Sequence, residues 1–389
     1  MIILDKPYVS DFFRDTIISN GFPVLRNHFS ESIDPEGKFN LIDEEKAAKD
    51  LSKCDNPLIY MPTENSIGWV MDNLRETRLP STIRLFKDKV RCREILKSIY
   101  PDYFFQEVKL EALESISIEG LPMPVVVKPS VGFFSLAVSR IDRQRDWGTA
   151  VRGLRSDIEA AEKLFPTDVV DTGSFIIEEF ITGEEFAFDA FFDREGKPCV
   201  LSAYKHVFAS EEDVTDRLYI TSADIVREYE PKFLDFLNSL GAVAELRNFP
   251  LHVEVRIDSR GRLLPIEINP VRFGGMCTTA DLAYHAYGYN LYEYYFSQKS
   301  PDWDRLLQGR GEHVYGLVVL NNSTGIEPSM IRGFDYRKLA ENFENVLEVR
   351  EVDFREFHFF GFLFLDSRQD NCEELDRILH SDLRQYIIG

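Results

Sequence analysis

The chain has 389 residues, a formal charge of −21 at neutral pH, 44% hydrophobic residues and 13% aromatics. That length suits two or three lobes with a substantial core, and the acidic balance argues against broad binding to nucleic acid or an anionic membrane, which needs a positive footprint. Five cysteines (Cys54, Cys92, Cys199, Cys277 and Cys372) are scattered without a CxxC pair. Neither a disulfide framework nor a zinc site is expected, and a reducing cytoplasm fits best. Residues 1–10 lack the apolar run of a signal peptide, and the longest apolar stretch, 359–365, is too short to cross a bilayer.

The predicted elements open with a strand at 2–4, a helix at 10–20 with Ser10 as cap and Gly21 as stop, and a strand at 23–26. An apolar run at 57–61 precedes a helix at 66–75, so the first 80 or so residues form a small α/β lobe. Between 87 and 100, Val90, Ile95 and Ile99 recur on one helical face. A β-branched strand at 124–127 ends in Lys128. Residues 175–192 and 199–204 read as paired strands joined by a turn at 194–196, and 224–240 as a helix. Strands at 251–258 and 263–269 follow, and the last 75 residues run strand, helix, strand, strand, helix.

The strongest chemical pattern is the hairpin LHVEVRIDSRGRLLPIEINP. Alternation puts His252, Glu254, Arg256 and Asp258 on one face and Val253, Val255 and Ile257 on the other. With Arg260-Gly261 as a two-residue turn, Glu254 falls opposite Glu267 and His252 opposite Asn269. Facing carboxylates destabilise a ladder. At ~4 Å and an effective dielectric of ~20 the repulsion is about 4 kcal/mol. A shared proton, an arginine or a divalent cation must offset it. Asn269 adds a neutral oxygen to two anionic ones, the hard set that Mg²⁺ prefers. A solvated polar face neutralised by Arg256 or Arg272 explains the segment equally well.

In MPVVVKPSVGFFSLAVS, Lys128 sits at a strand end before a turn whose N–H groups, with Ser130 or Ser135, can cradle phosphate. In FIIEEFITGEEFAFDAFF, backbone groups near Phe180 and Ile181 can meet an adenine edge and Glu185 can take ribose hydroxyls. An ordinary strand with a bulge at Thr182-Gly183 is the competing explanation.

In this order the pieces resemble the ATP-grasp superfamily: the pair Asp88-Lys89 at the head of a helix, VVVKP, the EE-x-x-x-G-x-E segment from Glu178, and E-I-N thirteen residues after Glu254. The resemblance spans residues 87–275. It implies an α/β and α+β chain with an ATP-grasp fold: a Rossmann-like N-terminal lobe (1–85), an ATP-grasp domain of two subdomains clasping ATP (86–300), and a small C-terminal α+β unit (301–389). Lys89 and Lys128 look like the lysines that contact ATP phosphates, and Lys205 like a further such contact. Glu178 resembles the acceptor for the adenine amino group, Glu179, Phe180 and Ile181 the hinge along the adenine, and Glu185 the ribose ligand. Glu254, Glu267 and Asn269 resemble ligands of Mg²⁺, for which Mn²⁺ can substitute. Arg272, with Lys128 the implied catalytic pair, looks like the arginine that meets the substrate carboxylate, and His252 lies on the same substrate side.

Two departures from the family pattern stand out. The loop after the KP pair, SVGFFS, has one glycine and two phenylalanines, and Arg272 follows Glu267 by five residues where many relatives have four. The implied activity is a ligase that activates a carboxylate as an acyl phosphate for attack by an amine, with amino-acid or peptide-like substrates and room for a homodimer. Phosphate transfer to a hydroxyl, carboxylation through carboxyphosphate, and nucleotide binding without turnover stay open.

Overall fold

A computed structural model of the chain describes residues 1–131, 137–162, 171–210, 217–357, 359–371 and 373–388. Its first lobe follows from local chemistry. The helix Asp11–Asn20 starts where the Ser10 hydroxyl accepts the Phe13 N–H and stops at Gly21, which takes the left-handed conformation (φ 60°) that a glycine adopts without penalty. Strands β1 (Pro23–Leu25) and β2 (Asn40–Ile42) pair in parallel, and Ile2 bridges in parallel to both Val24 and Tyr60. All three of those residues are fully buried.

Of the helical pattern at 87–100, Val90 and Ile95 lie in the helix Lys89–Leu96 and Ile99 in the turn after it, while a separate helix, Leu79–Lys87, precedes them. Asp88 separates the two helices: its backbone is extended, and its carboxylate accepts the N–H groups of Val90 (3.0 Å) and Arg91 (3.3 Å), capping the second helix.

Two sheets carry the rest. The smaller joins β3 (Phe105–Lys109), β4 (Val125–Val131), β5 (Ser139–Ile141) and β6 (Asp171–Glu179) in the order β3-β6-β4-β5, over a core that includes Trp147, Val151 and Leu154 from the helix Trp147–Glu162. The larger contains β7 (Glu184–Phe192), β8 (Pro198–Val200), β9 (Tyr204–Val207), β10 (Leu218–Ser222), β11 (Phe249–Ile257), β12 (Leu263–Pro270) and β13 (His313–Asn321). A two-stranded pair of β14 (Gly333–Phe334) with β17 (Ile387–Ile388) stands apart, while β15 (Val346–Glu351) and β16 (Phe359–Arg368) complete the larger sheet in the order β12-β11-β7-β9-β10-β13-β16-β15, with β8 beside β7.

The run 175–192, expected as one strand, is therefore two strands in different sheets. Gly183 makes the crossing, with φ 122° and a backbone approach so close that a Cβ would lie 2.1 Å from the Ile257 carbonyl oxygen. The C-terminal strands extend the larger sheet through the β10–β13 ladder while packing a core of their own around Leu320, Phe360, Leu363 and Leu365.

Candidate active site

β11 and β12 pair as the alternation implies, with Glu254 opposite Glu267 and His252 opposite Asn269. The route to that register differs from the expected one. Three residues, 259–261, form the loop. Gly261 sits at φ 77°, and the Asp258 carboxylate accepts the N–H groups of Arg260 and Arg262. A bulge then restores the pairing: Val255 faces Pro265, Ile266 is the extra residue, and Glu254 faces Glu267.

Neither arginine expected to neutralise this pair does so. Arg256 binds Glu185 through Nε (2.9 Å), and Arg272 donates Nε to Glu64 (3.2 Å). The counter-ion is Lys89, from the capped helix Lys89–Leu96, with Nζ 3.0 Å from Glu267 Oε1. Burial pushes the Glu267 carboxyl up, but Lys89, Lys87 and Lys128 outweigh it and hold it at about 2. Burial also opposes the Lys89 charge, and Glu267 raises that pKa in spite of it.

Lys128 ends up 6% exposed on β4, its Nζ paired with Glu178 Oε1. Burial lowers its pKa despite that partner. Glu178 Oε2 accepts Arg93 Nε at 2.8 Å, and although burial pushes the carboxyl up, Arg93 and Lys128 pull it down to about 2. Both oxygens of the glutamate expected to meet an adenine amino group are thus engaged by cations. Along the hinge, the Phe180 N–H donates to Pro124 O (2.9 Å) and the Glu179 carbonyl accepts the Tyr103 hydroxyl (3.1 Å). The guanidiniums of Arg140 (4.1 Å) and Arg256 (4.8 Å) both lie over the Phe180 ring, two cation–π contacts.

Glu185 faces the same side of the sheet as Glu254, because Arg256 is its cross-strand partner. Its oxygens meet Arg256 and His206 Nδ1 (3.0 Å). Lys205 does not join this face. It pairs across the ladder with Phe186, whose ring packs on Tyr229 and Phe233 of the helix Ala223–Ala244 on the opposite side, and its ammonium meets Glu184. The period-2 alternation of β9 presents His206 to the site instead, which removes Lys205 from the phosphate contacts expected of it.

Asp189 Oδ1 accepts His252 Nδ1–H (2.8 Å), and the His252 Nε2 lies 3.8 Å from Glu254. Asp189 is fully buried and also accepts the Gly274 N–H (2.9 Å) and the Ser202 hydroxyl (3.0 Å). Just before Arg272 stands Val271, a buried β-branched residue at φ 59°. Its N–H donates to Pro250 O and its carbonyl accepts the Met61 N–H, which fixes a conformation that costs about 1–2 kcal/mol. Arg272 then reaches Glu64, which also binds Lys87. Burial raises the Glu64 carboxyl, and Arg272 and Lys87 together bring it below its ordinary value.

Arg93, Glu64, Asp189 and His206 were not evident as site residues in the sequence. Only the helical spacing of Lys89 and Arg93, four apart, hinted that both belong to one face. The chain's local answer to its net acidity is a set of five cations (Lys87, Lys89, Arg93, Lys128 and Arg272) gathered around three carboxylates, Glu64, Glu178 and Glu267. Among the described residues no group of three His, Cys, Asp or Glu side chains could hold a metal ion. The donor set here is two carboxylates and the amide of Asn269 on one face of the β11–β12 hairpin, all hard oxygens, and it fits Mg²⁺ with phosphate and water completing the shell. Ser135, Phe133 and Phe134 lie outside the described residues. Cys54, Cys92, Cys199 and Cys277 are free thiols, and no helix among the described residues is long and apolar enough to cross a membrane.

Residues 121–280 match the family described as ATP-grasp domain. No curated protein matches the sequence. Among solved structures, the chain is similar to an L-amino acid ligase from Bacillus licheniformis (TM-score 0.72, 19% identity, covering 100% of this chain and 98% of that one). It is also similar to N5-carboxyaminoimidazole ribonucleotide synthetase from Thermotoga maritima (TM-score 0.62, 15% identity, 99% and 98% covered). A third similar fold is phosphoribosylglycinamide synthetase from Anaerococcus prevotii (TM-score 0.58, 14% identity, 100% and 98% covered). Residues 121–280 are thus an ATP-grasp domain, and over its whole length the chain shares the fold of these three proteins.

Proposed function

We propose that the chain is an ATP- and Mg²⁺-dependent ligase that activates a carboxylate as an acyl phosphate for attack by an amine. The observation that carries the reading is the opposition of Glu254 and Glu267 on a face shared with Asn269, with Lys89 on Glu267. Likeness in fold to a protein named as an amino acid ligase supports the choice of ligase over kinase, and the amine and carboxylate are proposed to be amino-acid or peptide-like.

In this reading Glu254, Glu267 and Asn269 would hold Mg²⁺, which when bound would neutralise phosphate charge. Lys89 and Lys128 bind phosphate oxygens. Both are buried or nearly so, and a desolvated ammonium interacts more strongly with an anion than one in water. Glu179, Phe180 and Ile181 line the adenine and Glu185 the ribose, while Glu178 sets the position of Lys128. Arg272 meets the substrate carboxylate, turned toward it by Glu64, and His252 lines the same side. A substrate carboxylate attacks the γ-phosphate and ADP leaves. The neutral amine then forms the C–N bond as the C–O bond to phosphate breaks, phosphate departing with the electron pair and the nitrogen giving up one proton. Position and charge are the protein's main contribution to such chemistry.

The test is a screen of amino acids and small carboxylates for ADP release, followed by hydroxylamine trapping. An acyl hydroxamate formed only with ATP and the carboxylate supports the ligase. ADP release with no hydroxamate for any active substrate rejects it in favour of phosphate transfer to a hydroxyl. ATP binding with no substrate-stimulated release points to nucleotide binding without turnover.

A further inference from the structure

Among the described residues β12 is the edge strand of the larger sheet, so the carbonyls on its outer side have no ladder partner there. Two consecutive ones at the bulge are nevertheless bonded. Arg93, 4% exposed, donates Nη1 to Pro265 O (2.8 Å) and Nη2 to Ile266 O (3.1 Å). Its Nε goes to Glu178 Oε2 at 2.8 Å, and Glu178 also holds Lys128. One buried guanidinium therefore joins the hinge strand β6 to the strand that carries Glu267 and Asn269.

The place of that fork matters because of register. On the loop side of the bulge Val255 faces Pro265; carried on without the extra residue, the same register would set Glu254 against Ile266 and Glu267 against Val253. Cross-strand partners share a face. Glu267 would then turn to the buried side with Val253, which is 0% exposed, and the pair with Glu254 would be lost. We propose that Arg93 is a positioning residue for the metal strand: it clamps both carbonyls of the bulge, keeps Ile266 as the extra residue, and so holds Glu267 opposite Glu254 while linking that strand to Glu178 and Lys128. The inference rests on the metal reading of the hairpin. A lysine cannot reproduce it, since one ammonium lacks the planar fork that reaches two carbonyls and a carboxylate together.

The experiment measures binding of a non-hydrolysable ATP analogue by calorimetry, with and without Mn²⁺, to the wild type and to Arg93→Lys. The wild type should gain affinity from the metal, and the variant should lose at least about tenfold of that gain, a loss of about 1.4 kcal/mol. A folded Arg93→Lys protein with the full metal gain overturns the proposal. A wild type that binds the nucleotide without any metal gain overturns the metal reading, and the proposal with it. Deleting Ile266 supplies the second arm, because Glu267 then follows Pro265 directly and continues the register to Glu254 without a bulge. In that background Arg93→Lys should leave the metal gain within about threefold of the deletion protein. A further loss of about tenfold there shows that Arg93 acts other than through the bulge and overturns the proposal. This arm decides the matter if Arg93→Lys does not fold in the native strand.

Discussion

Glu267 illustrates how a counter-ion changes the meaning of a charge. Two facing glutamates by themselves would make Glu267→Gln a relief of repulsion. With Lys89 3.0 Å from the carboxylate, the substitution also leaves a largely buried ammonium without its partner. Metal-dependent turnover should fall by at least about a hundredfold. The melting temperature at pH 7 should fall as well, by a few degrees. The sign with pH follows from the shift: the folded pKa of about 2 lies below the ordinary 4.5, so this contribution to stability is whole above 4.5 and lost as pH falls toward 2. The melting-temperature gap between wild type and Glu267→Gln should close over that window. A gap that stays constant down to pH 2 would show that Lys89 is not what Glu267 stabilises. Lys128 makes a parallel case. Lys128→Ala should lose about 10²–10³ in rate, the scale for one preorganised charge contact. A large drop in the apo melting temperature with a preserved rate would instead assign Lys128 to the Glu178 cluster alone.

At the level of elements, the crossing from β6 to β7 is the tightest point near the site. Gly183 and Gly120 both have φ above zero, 122° and 83°, but a Cβ at Gly183 would meet the Ile257 backbone at 2.1 Å whereas nothing lies within 4 Å of one at Gly120. Gly120→Ala should cost only the backbone penalty, about 1 kcal/mol. Gly183→Ala adds a clash that no side-chain rotation relieves, and should cost at least about 4 kcal/mol, the range where single substitutions become exceptional. Chemical denaturation of both variants checks this; equal costs would mean the β6–β7 crossing yields easily. The hairpin shows how an element can be legible for an incomplete reason. Period-2 alternation and Gly261 point to Glu254 opposite Glu267, but the three-residue loop and the bulge at Ile266 are two one-residue departures that cancel. Patterning identifies which side chains must share a face. It does not specify how the backbone gets them there.

Across the whole molecule, the lysine and hinge belong to the four-stranded sheet and the acidic hairpin to the nine-stranded one. A triphosphate touching Lys128 and Glu267 must lie between them. ATP with Mg²⁺ should therefore slow amide exchange in β4 (Val125–Val131) and at 179–183 more than in β13 and β16, which stand beyond β10 in the larger sheet. Equal protection throughout would mean that the two sheets do not close on the nucleotide. Ligand at about 100 times its Kd should add about 2.7 kcal/mol of apparent stability, read as a raised melting temperature.

By itself the sequence determined the features set by near neighbours in the chain: the Ser10 and Gly21 caps, the alternation of the acidic strands, the Asp88-Lys89 start of a helix, and the ordered motifs that mark the superfamily. These depend on periodicity and local backbone preference, which a few consecutive residues specify. The tertiary structure alone decided which opposite charges meet. Arg256 goes to Glu185, Arg272 to Glu64 and Lys89 to Glu267, and His206 replaces Lys205 on the site face. Those choices depend on the register between strands and helices brought together from distant parts of the chain. Many cations could satisfy a given carboxylate, so only the packed arrangement selects one.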